Sequence, residues 1–390
     1  MEPILWMIEL LLFLLFALNV VYLFIFSIAS LFPLRQVRVI SAPLKKIGIL
    51  IPAYQEDSVI VECVDACVAQ DYPKELFEIV VISDGMKEAT NQSLSTKCGV
   101  KVINVNFENS TKAKALNFAM QHIGEFDVAV VFDADNTVKP DFLTQINAAF
   151  SDSRVRIVQC HRMAKNLNTK MALLDAVSEE INNSIFRKGH ARLGFSGALI
   201  GSGMAFCYPL FREVMKTVDA VGGFDRALEL TFLHKGERVE YLPYVDVLDE
   251  KVQNKAAFTN QRRRWMSAQF HYLGRFIGKF PKALLQGNFD FCDKLMQQMT
   301  IPRVMLLGLI FLMASVLSFV HFDLAIKWWL IFVVLIAALL IAIPKPLYQK
   351  RLFFALLELP HSFGLMFFNL FRLKGANKHF IHTPHGETKE

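Results

Sequence analysis

Ile47-Gly48-Ile49-Leu50-Ile51-Pro52-Ala53-Tyr54-Gln55-Glu56-Asp57 opens with an unbroken apolar run and turns polar and acidic immediately after Pro52. A short continuous apolar run closed by proline and carboxylates reads as a strand buried on both faces, with a polar loop at its carboxyl end. The same punctuation recurs downstream. Ile79-Val80-Val81-Ile82 closes on Ser83-Asp84-Gly85, and Val128 to Phe132 closes on Asp133-Ala134-Asp135. Val100 to Val105 reads as a further strand, and Val155 to Val158 as a fifth. Helical patterns, such as Val59 to Ala69 and Ala113 to Ile123, lie between them. Strand–helix alternation with continuous apolar strands predicts an α/β domain: a doubly wound, mostly parallel sheet covered by helices on both faces. Ligands in such folds sit at the carboxyl ends of the strands, where these carboxylates fall.

The flanks have a different character. The chain has 390 residues, 53% of them hydrophobic, enough for one large domain plus membrane segments. Leu10 to Leu34 carries no charged side chain. As a helix it would reach ~37 Å, enough to cross a ~30 Å hydrocarbon core with some tilt. A cleaved signal peptide has a shorter apolar core and a basic start, whereas this run follows Met1-Glu2-Pro3. Val304 to Val320 and Trp328 to Ile343 are two more uncharged runs, joined closely enough to form a helical hairpin. Leu352 to Phe371 contains Glu358, Pro360 and His361 and reads either as a span or as an interfacial element. The expected organisation is therefore an anchor and basic linker over 1–44, the α/β domain over 45–265, interfacial helices over 266–300, a transmembrane hairpin over 301–345, and a last apolar segment with a polar tail over 346–390.

Arg35, Arg38, Lys45 and Lys46 follow the first span and no Lys or Arg precedes it. The positive-inside bias then predicts an integral protein of the inner or plasma membrane, with its central region in the cytoplasm. The six cysteines show no metal-binding spacing, which suits reduced thiols in that compartment. The net charge of +6 fits a protein lying against anionic lipid, and no module for nucleic acid is present.

Singly, the polar strand ends have plain alternatives: Asp84-Gly85 is first a turn, and an acidic pair after a strand is first a solvated loop or helix cap. Asp133 and Asp135, at i and i+2, point to one side of an extended chain. Mg²⁺ or Mn²⁺ takes one or two such carboxylates together with substrate phosphates. Further along, Gln261-Arg262-Arg263-Arg264-Trp265 places Gln261, Arg264 and Trp265 on one face if helical. Arg264 can fork onto phosphate oxygens, and Trp265 offers a flat apolar face. Arg262 and Arg263 are expected to point elsewhere, towards lipid headgroups.

The order of Pro52-Ala53-Tyr54-Gln55-Glu56, Ser83-Asp84-Gly85, Lys112-Ala113-Lys114-Ala115-Leu116-Asn117, Asp133-Ala134-Asp135 and the Gln261 to Trp265 pentad resembles membrane-bound family-2 glycosyltransferases of the polysaccharide-synthase type. Synthases of cellulose, hyaluronan, chitin oligosaccharides and poly-N-acetylglucosamine are in that group. The resemblance covers roughly Lys45 to Tyr272 and implies a GT-A-type domain. It also implies inverting transfer from a UDP-sugar to a growing glycan, with Mg²⁺ or Mn²⁺ as cofactor. By the same resemblance Pro52, Tyr54, Glu56 and Asp84 would hold the nucleoside, Lys112 the diphosphate, and Asp133 and Asp135 the metal and the ribose–diphosphate side. Gln261, Arg264 and Trp265 would serve the catalytic centre.

Gly201-Ser202-Gly203-Met204-Ala205-Phe206 resembles the loop near the acceptor path, and equally suits close backbone approach. Gln55 stands where Asn is commoner, and Lys114 where Gly is usual. The expected base is Asp225, with Glu229 in reserve on the same helical face; the alternative for Asp225 is a helix cap. Two other functions fit the same donor site: transfer of one sugar to a lipid-linked acceptor, and a non-catalytic subunit of a polysaccharide assembly. Expected partners are the UDP-sugar, a glycan or lipid-linked acceptor, and the bilayer.

Overall fold

The computed structural model describes residues 2–34, 43–253 and 255–358, with 360, 363, 364 and 367 beyond them. One sheet organises the centre of the chain. Its strands are β1 (Ile47–Tyr54), β2 (Phe77–Asp84), β3 (Val100–Val105), β4 (Val128–Val131), β5 (Thr137–Val138), β6 (Ile157–Ala164), β7 (Met204–Cys207) and β8 (Glu240–Asp249). They lie in the order β3-β2-β1-β4-β7-β6-β8-β5. The first half, β3-β2-β1-β4, is parallel throughout, as the continuous apolar runs imply. β7 then enters antiparallel between β4 and β6, while β6 and β8 pair in parallel.

Alternate side chains of the sheet feed two cores. Val80 and Ile82 pack with Leu116 of helix Lys112–His122 and Phe211 of helix Tyr208–Met215. Ile79 and Val81 face the other way, towards Cys63 of helix Ile60–Val68 and Ile146 of helix Phe142–Ala149. Leu116 and Ile146 are fully buried, a setting in which truncation to alanine typically costs about 2–5 kcal/mol.

The fifth expected strand begins at Ile157 rather than Val155 and runs to Ala164. β5, β7 and β8 were not legible as strands. β5 has two residues and β7 four, and β8 contains Pro243 and buries its residues irregularly.

Among the described residues, three helices are long and apolar enough to cross a membrane: Ile4–Ala29, Arg303–Val320 and Phe322–Ala342. The first helix, Glu2–Ala29, starts well before Leu10 and so includes Glu9. Its carboxylate is accommodated by Lys327 Nζ at 2.8 Å and Trp328 Nε1 at 2.6 Å. The same helix is tied to the α/β domain. Tyr22 donates to Asp293 at 2.8 Å, and Phe26 stacks on His190 with ring centroids 3.5 Å apart. A short helix, Lys350–Leu356, follows the hairpin. Arg35 and Arg38, and most of the 352–371 stretch, lie outside the described residues.

Candidate active site

The parallel register of β1 and β2 sets Tyr54 beside Asp84 at the carboxyl end of the sheet. Asp84 is buried. Its Oδ1 accepts a long hydrogen bond from Phe107 N–H at 3.4 Å, and its Oδ2 has no partner among the described residues. A sealed carboxylate oxygen without a donor is costly, and a ligand N–H would satisfy it. Gln55 follows with φ of 56°, its N–H bonded to the Asp84 carbonyl at 3.1 Å. Asn tolerates that left-handed geometry better than Gln, so the departure noted at Gln55 falls on a strained position.

Asp133 and Asp135 follow β4, and a third carboxylate, Asp249, reaches them from the end of β8. One oxygen from each of the three lies within 4.8 Å of the others. Asn136 braces the group. Its Oδ1 accepts from Asp133 N–H at 3.0 Å, and its Nδ2 donates to Asp135 at 3.3 Å and Asp249 at 3.4 Å. Asp135 Oδ2 also accepts from Glu250 N–H at 2.9 Å. Three converging carboxylates repel, and cations offset this. Lys112 Nζ lies 2.5 Å from Asp133, Lys251 Nζ 2.7 Å from Asp249, and Arg162 lies 3.5 Å from Asp249 and 3.8 Å from Asp133.

Burial works against the Arg162 charge, but Asp249, Glu179 and Asp133 outweigh it and hold the guanidinium protonated. Glu179 is likewise penalised by burial, yet Arg162, Lys251 and Arg187 hold its carboxyl down at about 2. The hard, all-oxygen donor set of Asp133, Asp135 and Asp249 fits Mg²⁺ or Mn²⁺. Asp249 and Arg162 were missed in the sequence. The available signal was Val245-Asp246-Val247-Leu248-Asp249-Glu250, another partly apolar run closing on acids.

Lys112 also donates to the Gly201 carbonyl at 2.6 Å. Gly201 has φ of 90°, and a Cβ placed on it would come within 3.9 Å of Asp225 Cβ. The Gly201 to Phe206 loop therefore links Lys112 to Asp225, and its last three residues lie in β7. Asp225 lies in the first turn of helix Phe224–His234; Gly223 occupies the N-cap position and no side-chain cap hydrogen bond is made there, so Asp225 is not the N-cap residue. Gly223 is held at φ of 67°, and a Cβ there would meet Ala268 Cβ at 2.6 Å. Only glycine permits this close approach of the Asp225 helix to helix Lys255–Phe276.

Glu229 is fully engaged. Its Oε1 accepts from Lys294 Nζ at 2.8 Å and from Leu199 N–H at 3.0 Å. Burial pushes its carboxyl upward, partly offset by those two donors.

Gln261, Arg264 and Trp265 all line the same cavity as Asp84, Asp133 and Asp225, and Gln261 Oε1 has no partner among the described residues. Burial lowers the Arg264 guanidinium from its ordinary value. The expectation for Arg262 is corrected. It does not face lipid headgroups but turns into the cavity, where its Nη2 bonds Asp175 at 2.8 Å. Its guanidinium lies 4.5 Å from the Trp265 ring centroid and 4.7 Å from that of Phe258. Asp175, on helix Lys170–Asn182, supplies the charge that makes this burial tolerable.

The cavity, of about 740 Å³, runs from Pro52, Tyr54, Glu56 and Asp84 past the three aspartates. It continues between the apolar helices, where Leu23, Leu307, Ile336, Leu339 and Leu340 line it.

A parallel α/β half joined to an antiparallel insertion, with carboxylates gathered at the strand ends, defines a GT-A-type glycosyltransferase domain. The profile described as "Glycosyltransferase like family 2" matches residues 43–268, more than half of the chain, and the protein belongs to that family. Among its relatives is a beta-monoglucosyldiacylglycerol synthase of Nostoc sp., 26% identical over 60% of this chain and 51% of the relative. Another is the probable glycosyltransferase YdaM of Bacillus subtilis, 23% identical over 61% of this chain and 59% of the relative. The chain thus spans only about half to three-fifths of these relatives. The mannosyltransferase PcManGT of Pyrobaculum calidifontis, solved with GDP-Man and Mn²⁺, shares the fold. It has a TM-score of 0.54 and 18% identity, covering 88% of this chain and 99% of that one.

Proposed function

We propose that the protein is an integral membrane, inverting glycosyltransferase that moves a sugar from a UDP-sugar to a hydroxyl group of a lipid-borne acceptor at the cytoplasmic face. The observation that carries the acceptor assignment is the cavity, which passes without interruption from the aspartate cluster into aliphatic surroundings between the apolar helices. Aliphatic walls suit a hydrocarbon tail, whereas a glycan would leave its hydroxyls without partners there.

Asp84 Oδ2 takes the uracil N3–H. Lys112 and Arg264 face the diphosphate, while Asp133, Asp135 and Asp249 would hold Mg²⁺ or Mn²⁺. The bound ion would help neutralise the charge that grows on the leaving diphosphate. Asp225 accepts the proton of the acceptor hydroxyl as its oxygen bonds to the anomeric carbon. The bond from that carbon to the diphosphate breaks on the opposite side, and an α-linked donor yields a β-linked product. Elongation of a glycan is the second reading, favoured by the Gln261–Arg264–Trp265 face.

The test uses purified full-length protein in phospholipid–diacylglycerol vesicles with Mn²⁺ and radiolabelled UDP-glucose, UDP-galactose or UDP-N-acetylglucosamine. Label in the organic phase is the expected result. Label confined to a water-soluble polymer would favour glycan elongation, and absence of UDP release with any donor would overturn both readings. A reporter fused near Lys87 should give a cytoplasmic signal.

A further inference from the structure

Arg303 is the first residue of the apolar helix Arg303–Val320, and it lines the same cavity as the aspartate cluster. Its Nη2 donates to the carbonyl and hydroxyl oxygens of Ser178, both at 3.1 Å. Its Nη1 is sealed from water and has no hydrogen-bond partner among the described residues. Among the described residues no carboxylate pairs with it. The two nearby acids on helix Lys170–Asn182 are already engaged, Asp175 by Arg262 and Glu179 by Arg162 and Arg187. A guanidinium held by neutral groups, with a buried N–H unused, is an expensive arrangement unless an anion completes it.

The position of Arg303 says which anion. On the integral-membrane reading above, the first residue of this membrane-length helix stands at headgroup depth, and the helix amino terminus adds its partial positive charge. One turn deeper, Leu307 lines the same cavity, followed by Ile336, Leu339 and Leu340. Lys112 and Arg264, which already serve the donor's diphosphate in the reading above, line the same cavity. The cavity thus presents a further cation together with the aspartates and an aliphatic lining.

We infer that Arg303 is a specificity-determining residue that binds a phosphate in the acceptor, placed between its lipid tail and its hydroxyl-bearing headgroup. This rests on the lipid-acceptor reading and narrows it from any lipid hydroxyl to phosphate-bearing lipids. Guanidinium suits that task, because its fixed fork can keep Ser178 on one nitrogen and offer the other to a phosphate oxygen.

The test measures binding of two fluorescent probes with identical acyl chains, phosphatidic acid and diacylglycerol, to the detergent-purified full-length protein. Wild type should bind phosphatidic acid at least about tenfold more tightly. Arg303→Gln should lose that preference, while affinity for UDP with Mn²⁺ stays unchanged. Arg303→Lys should keep part of the preference, and it serves as the variant if the glutamine form does not fold. Equal binding of the two probes by wild type, or a preference that survives Arg303→Gln, overturns the assignment. A parallel loss of UDP affinity also overturns it, by assigning Arg303 to the donor diphosphate. Failure of both lipids to bind would instead sink the lipid-acceptor reading.

Discussion

Lys112 Nζ lies 2.5 Å from Asp133 Oδ1 and 2.6 Å from the Gly201 carbonyl, so one ammonium joins the aspartate cluster to the loop beside Asp225. Replacing it with Met should leave Asp133 facing Asp135 and Asp249 without its nearest cation. Affinity for UDP with Mn²⁺ should fall about 10–100-fold by titration calorimetry, the worth of a charged hydrogen bond. Lys112→Arg should restore it only partly, since a planar fork does not replace a compact ammonium. Unchanged affinity in Lys112→Met would remove the residue from the donor site.

Asp135→Asn should abolish transfer by weakening metal binding, and Asp249→Asn should do the same if the third carboxylate belongs to that site. Mn²⁺ titration of sugar transfer reads both. Either variant retaining about a tenth of wild-type activity without a raised metal requirement would remove that residue from the metal set.

Asp225→Asn tests the base. Folding and UDP binding should be near normal and turnover lower by at least ~100-fold, because a positioned base is typically worth ~10²–10⁴-fold. Glu229→Gln should instead lower the melting temperature, because Lys294 loses a buried partner at 2.8 Å. Near-normal turnover in Asp225→Asn would remove Asp225 from the role of base.

Trp265→Ala should raise the acceptor KM by about 2–10-fold through lost stacking, with a smaller effect on UDP affinity. One face of the ring is already covered by Arg262, so only the other is open to a sugar. A collapse of UDP affinity with normal acceptor dependence would contradict this role.

His161 provides a pH test remote from the acceptor. Burial disfavours its charged form, but Asp246 at 3.3 Å and Glu180 at 3.2 Å outweigh this and raise its pKa to about 9. A raised folded-state value means the stabilisation is fully present below the ordinary histidine value near 6.5 and is lost as pH climbs through about 9. The melting temperature should therefore fall between those limits, and His161→Asn should flatten the slope. Parallel profiles for the two proteins would exclude His161 as the cause.

The sequence by itself determined the elements whose burial is written locally. Ile47 to Ile51, Ile79 to Ile82 and Val128 to Phe132 are apolar on every residue because both faces of a parallel strand are covered. The acids that follow them had to emerge at one edge of the sheet. The three membrane-length helices were legible for the same reason, although Glu9 became acceptable inside the first only through Lys327 and Trp328. What tertiary structure alone decided is convergence across long separations. Asp249 joins Asp133 because β8 pairs with β6 on the far side of β7, an order that no local pattern specifies. Arg262 turns inward because Asp175 waits on another helix, and helix position alone had pointed it at lipid. The empty valences of Asp84 Oδ2 and Arg303 Nη1 appear only when packing removes water from them. Periodicity records how much of a residue is buried, whereas the partner it meets is set by strand order and helix packing.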